Sequence, residues 1–181
     1  MPPKKTQTYV KKDQRSHILD RPDMYVGSTR SRQIEDYIAD PETFRIRKQA
    51  LNTSPAFLRI FIEPLSNAID NVARSKGTDT KCTKINVTID PETGLTTVLN
   101  DGESIPFGID PVEKCYNHTM IFGQLLTGSN YEDDEERVDI SGRNGLGVKL
   151  TNVFSSWFQV RALDPDTGKI FQQQWTDNMK T

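Results

Sequence analysis

The chain has no apolar run approaching the ~18–20 residues that a membrane-spanning helix needs, so no such span is expected. Its first residues, Met1-Pro2-Pro3-Lys4-Lys5, carry no apolar stretch of the secretory type. Cysteine is scarce. Cys82 and Cys115 stand apart, outside any C-x-x-C spacing, which argues for reduced thiols in an intracellular protein. His17 and His118 are equally isolated, so a zinc site is not expected. No G-x-x-x-x-G-K-[ST] occurs, and a P-loop is excluded. An excess of positive charge is also missing. The net charge of −2 gives no electrostatic ground for DNA binding by this segment alone.

What is present is a polar composition on a chain long enough for a core. At 181 residues it suits one domain, or one domain with an arm. Hydrophobic content of 34% and charge of 27% point to exposed or partner-dependent segments. Residues 14–20 read as a short helix stopped at Arg21-Pro22, and Met24 to Ser28 as a strand or turn. Residues 33–50 read as a hairpin around Asp40-Pro41-Glu42-Thr43. Ser54-Pro55 opens a helix to about Arg74. Leu58, Phe61, Ile62, Leu65, Ile69 and Val72 recur along it at helical steps. Pro64 lies inside and must lose the bond to the Ile60 carbonyl, which predicts a kink near Glu63. Strands follow at 84–90 and 95–100, short helices at 112–117 and 119–126, and a loop at 127–141. A helix is predicted at about 145–154, then strands at 156–163 and 169–175.

Three elements carry chemistry. Gly142-Arg143-Asn144-Gly145-Leu146-Gly147-Val148-Lys149 is a G-x-x-G-x-G loop running into a helix. Such a loop can aim backbone N–H groups at anionic oxygens, and Lys149 could neutralise phosphate charge. Glu63, Asn67 and Asp70 fall at i, i+4 and i+7 on one helix face, with Asn71 beside them. Asn67 offers a hard amide oxygen to Mg²⁺, and Glu63 a carboxylate to orient or deprotonate a water. Asn100-Asp101-Gly102 ends a strand, where a side-chain oxygen could accept from an adenine amine. Each has a plainer explanation, a solvated helix face or a turn. Their joint occurrence in one order indicates a nucleotide site.

These segments resemble the ATP-binding fold shared by gyrase-type topoisomerases, heat-shock 90-kilodalton chaperones, histidine kinases and mismatch-repair ATPases. Within it the match is closer to eukaryotic-type DNA topoisomerase II. It runs through His17 to Ser28, Glu63 to Asn71, Ile121 to Tyr131, Ser141 to Leu150 and Trp175 to Met179. The resemblance implies an α/β (α+β) two-layer sandwich, a mixed and mostly antiparallel sheet with helices on one face. It divides the chain into an N-terminal arm or dimer strap, 1–30, and an ATP-binding domain, 31–181. It implies that Glu63 is the general base for ATP hydrolysis and that Asn67 binds Mg²⁺ and phosphate. Asn71, Asn100 and Ile105 would belong to the nucleotide site, with Asn100 and Ile105 by the adenine. Gly128 would belong to the ATP site, Ser129 and Asn130 would hold the ribose and phosphate side, and Gly142 to Lys149 would wrap the triphosphate. Tyr25 would reach the nucleotide of a second subunit, making a homodimer.

The same resemblance implies a longer enzyme that couples ATP to double-stranded DNA passage in a nucleus or a viral factory. A γ-phosphate lysine would lie in a transducer domain that follows this segment. The alternative is a non-catalytic nucleotide-binding or dimerisation module of the same fold. Two departures from the family pattern stand out. Ser104 replaces a glycine and would narrow the adenine pocket, and Pro64 sits beside Glu63.

Overall fold

A computed structural model describes residues 9–127 and 145–181. Asp13 caps the first helix, α1 (Gln14–Asp20), its carboxylate accepting from the Ser16 N–H at 3.0 Å. A single 3₁₀ turn, Pro22–Met24, follows. Strands β1 (Arg32–Ala39) and β2 (Ile46–Thr53) form an antiparallel hairpin. The long helix α2 spans Pro55–Arg74 with Ser54 as N-cap and Pro55 in its first turn. Strands β3 (Ile85–Ile89) and β4 (Thr96–Asn100) pair antiparallel, as do β5 (Trp157–Leu163) and β6 (Ile170–Thr176). Between them lie α3 (Asn117–Gly123) and α4 (Gly147–Val153). The architecture is α+β, with the strands paired as three antiparallel hairpins.

One turn chemistry recurs. Asp40, Asp90 and Asp164 each precede a proline and close a hairpin. In each, the aspartate carboxylate accepts from the backbone two residues on, at 3.0, 2.9 and 3.2 Å. The fifth residue of each turn takes positive φ: Phe44 at 54°, Gly94 at 73° and Gly168 at 67°. Asp110-Pro111 makes a fourth such turn. Its carboxylate accepts from Val112 N and Glu113 N, both at 2.8 Å, and Lys114 adopts φ 55°. That turn occupies the region predicted as a helix at 112–117: the carboxylate caps the first N–H groups as it would in a helix, but Lys114 turns left-handed and Asp110 N donates to Cys115 O at 2.8 Å, so the chain reverses and Ile109 bridges Tyr116. One helix, α3, forms where two are predicted.

The core joins α1, α2 and α4. Ile18, Val26, Ala56, Leu150 and Val153 form it, with Leu19, Tyr25, Ile60, Leu146 and Phe154 packed around. Ser28 O ties the N-terminal stretch to α2, accepting from Ser54 Oγ at 2.9 Å and Ala56 N at 3.1 Å. A second, aromatic layer sets α3 on the last hairpin through Phe122, Phe158, Trp175, His118 and Phe171.

Helix α2 is covered on its polar side. Asp70 is 4% exposed, whereas Ile69 is 53% exposed, and Leu58, Ile62 and Val72 of the apolar stripe are also exposed. Helical periodicity groups these residues correctly onto faces, but the face turned to α4 carries Glu63, not the leucines.

Candidate functional site

The first contact that builds the site is steric. Gly147 opens α4, and a Cβ there would overlap Glu63 Oε2 and lie 3.0 Å from Glu63 Cδ. The glutamate carboxylate therefore rests on bare backbone at the junction of glycine loop and helix. Its other oxygen, Oε1, pairs with Arg59 Nε at 2.5 Å, an i,i+4 ion pair on α2. The Glu63 side chain is only 14% exposed. Arg59 is a residue that the sequence pattern did not single out. Its one signal was basic charge four residues before the glutamate.

Asn67, one turn on, is half-buried, and its side chain makes no hydrogen bond to another described residue. Asp70 is buried, with Arg74 Nη2 4.0 Å away. Asn71 anchors the helix to the end of β4. Its Nδ2 donates to Asn100 Oδ1 at 2.7 Å and to Glu103 O at 3.0 Å. Asn100 Oδ1 also accepts from Gly102 N at 3.3 Å. A Cβ on Gly102 would lie 2.8 Å from Asn71 Nδ2, so the glycine permits this docking. Asp101 turns away to the preceding segment. Its carboxylate accepts from Thr83 N, Lys84 N and Thr83 Oγ1, at 2.8, 2.8 and 2.6 Å, which holds it far below the usual carboxylate range. Ile105 is half-buried just beyond, and Ser104 Oγ donates to Ile105 O at 3.4 Å.

At the glycine loop, Gly145 has φ 59° and precedes the helix, which begins at Gly147. Leu146 and Val148 face the core. Lys149 is 2% exposed, and its Nζ donates to Thr127 O and, at 2.7 Å, to Thr127 Oγ1. Burial pulls its pKa down to about 8. Thr127, undetected by pattern, thus links the end of the α3 region to the loop's lysine. Gly128, Ser129, Asn130, Gly142, Arg143 and Asn144 lie outside the described residues.

Tyr25 stands apart from these groups. Its hydroxyl is 2.9 Å from His17 Nδ1, and its ring packs against the α1–α2–α4 core. The Trp175 to Met179 segment closes the other end of α4. Asn178 Nδ2 donates to Val153 O at 2.8 Å, and Arg15 Nη1 donates to Asn178 O at 3.2 Å. It thereby joins α4 to α1.

The described residues contain no group of three or more His, Cys, Asp or Glu that could hold a metal. The donor set instead fits Mg²⁺ taken with a phosphate ligand, since that ion commonly uses few protein oxygens plus phosphate and water. Asn67 supplies an amide oxygen one helical turn after Glu63, with no hydrogen-bond partner among the described residues.

No family model matches the chain. It is similar to DNA topoisomerase 2 of Candida glabrata, 44% identical over 174 residues, covering 96% of this chain and 12% of that protein. It is 45% identical over 171 residues to human DNA topoisomerase 2-alpha, covering 94% and 11%. DNA topoisomerase 2 of Invertebrate iridescent virus 6 is 42% identical over 173 residues, with 91% and 15% covered. Among solved structures, the ATPase region of Saccharomyces cerevisiae topoisomerase II superposes with a TM-score of 0.89 at 41% identity. That match covers 95% of this chain and 44% of the solved one.

Proposed function

The chain belongs to the DNA topoisomerase II family, matching its ATPase region, and from that premise we infer that it binds and hydrolyses ATP between the polar face of α2 and the glycine loop before α4. The observation that supports this most directly is the seating of Glu63 on Gly147. Two motifs more than eighty residues apart meet, with a carboxylate set against the glycine that opens α4.

Glu63 is the general base, orienting a water for in-line attack on the γ-phosphate and taking its proton. Arg59 holds that carboxylate in one orientation. Asn67 would hold Mg²⁺, which when bound neutralises charge on the phosphate oxygens. Gly142 to Lys149 line the triphosphate with backbone N–H groups and the cations of Arg143 and Lys149. Gly128, Ser129 and Asn130 take the ribose side, while Asn71, Asn100 and Ile105 form the adenine end. Tyr25 belongs to a dimer contact toward the nucleotide of a second copy.

In the longer proteins of this family that role is one part of a DNA-strand-passing homodimer. By extension, the chain's partners are a second copy and double-stranded DNA, in a nucleus or a viral factory. Nucleotide binding without turnover is the second reading. One feature favours it: Arg59 already pairs with Glu63 Oε1, while Oε2 lies against the Gly147 backbone.

Calorimetric titration of the 181-residue chain with a non-hydrolysable ATP analogue and Mg²⁺ tests the site. Micromolar binding that disappears in Asn67→Ala is expected. A folded chain that binds no nucleotide overturns the assignment.

A further inference from the structure

Pro64 deletes one hydrogen bond from α2. It has no N–H, so the Ile60 carbonyl four residues back loses its helical partner. A hydroxyl from another helix fills the gap. Thr151 Oγ1 donates to Ile60 O at 2.7 Å across 91 residues of sequence. One turn earlier on α4, Gly147 backs onto Glu63. A single turn of α2, Ile60 to Pro64, is thus matched to a single turn of α4, Gly147 to Thr151. Arg59 grips Glu63 from the same stretch of α2. The far end of α4 is fixed separately, Asn178 Nδ2 donating to Val153 O at 2.8 Å.

We propose that Thr151 is a positioning residue for Glu63. Through the carbonyl that Pro64 leaves free, it sets the register of α4 on α2, and with it the seat of the Glu63 carboxylate at the start of α4. The proposal rests on Glu63 being the base. The hydroxyl has two separable jobs. It satisfies a carbonyl, and it tethers two helices. Restoring the missing N–H with Pro64→Ala replaces the first job but not the second.

The test compares Thr151→Val, Thr151→Ser and the double variant Pro64→Ala/Thr151→Val in the 181-residue chain. Two readouts are taken: the thermal midpoint, and the NMR signals of the Gly147 amide and the Glu63 carboxyl carbon, assigned with Glu63→Gln. Thr151→Val is expected to lower the midpoint and move both signals. Thr151→Ser keeps them in place. The double variant recovers the midpoint while both signals stay displaced, because the tether is still absent. Signals that never move, that move equally in Thr151→Ser, or that return together with stability overturn the proposal. Turnover of Mg-ATP by Glu63→Gln is read separately. An unchanged rate removes Glu63 as base, while the signals alone decide whether Thr151 places it.

Discussion

The Glu63 carboxylate occupies the space that a side chain on Gly147 would need. The obstacle is the far end of a flexible side chain, and Gly147 does not have the positive φ that would strain an alanine. Gly147→Ala should therefore leave stability within about 1 kcal/mol of the parent, since alanine is also the better helix former. With Glu63 in its proposed role as base, turnover should fall on the order of 10–100-fold, since the carboxylate is displaced from the attacking water. Denaturant unfolding alongside a steady-state ATPase assay checks both halves.

Phe44 holds φ 54° at the turn position where two of the sister turns carry glycine, and its side chain is 90% exposed. It loses little packing if removed. Phe44→Gly should stabilise the chain by about 1 kcal/mol, the scale of the left-handed penalty for a residue with a Cβ. Gly94→Ala and Gly168→Ala should cost a similar amount. Chemical denaturation of the three variants measures this.

His118 is fully buried, stacked on Phe171 at 4.5 Å and edge-on to Phe107 at 4.7 Å. Among the described residues, neither ring nitrogen has a hydrogen-bond partner. Burial holds its pKa below 6.5, so the folded chain binds fewer protons than the unfolded one. Its contribution to stability is complete above about pH 6.5 and is lost as the pH falls below that value. The thermal midpoint should drop between pH 7 and pH 5 for the parent and less steeply for His118→Phe.

Lys149, with a pKa near 8 against an ordinary 10.5, gives a second pH window. Between these values the unfolded chain carries the extra proton, so stability rises with pH from about 8 to 10.5, and Lys149→Met should flatten that rise. In the proposed site a bound triphosphate favours the protonated lysine. Nucleotide affinity should therefore weaken as pH climbs through 8, with proton uptake on binding. Calorimetry in buffers of different ionisation enthalpy reads that uptake directly.

Local structure was largely legible. Ser54-Pro55, the helical spacing of α2 and the turn at Asp40-Pro41 act within a few residues, where backbone dihedrals and capping bonds are set. The turn at Asp110 shows the limit. The same chemistry was present, but no flanking strand pattern marked it.

The sequence alone determined which residues share a face. Glu63, Asn67 and Asp70 had to lie together because 3.6 residues make a turn. It also determined that Pro64 would orphan the Ile60 carbonyl. Tertiary structure decided which face of α2 is covered, that Glu63 lies on Gly147, that Lys149 ends on Thr127, and that Thr151 answers Ile60. Periodicity fixes directions around one helix axis. Contacts across tens of residues depend on how two helices are laid together, and that is set by the packing of α1, α2 and α4 around Ile18 and Val153.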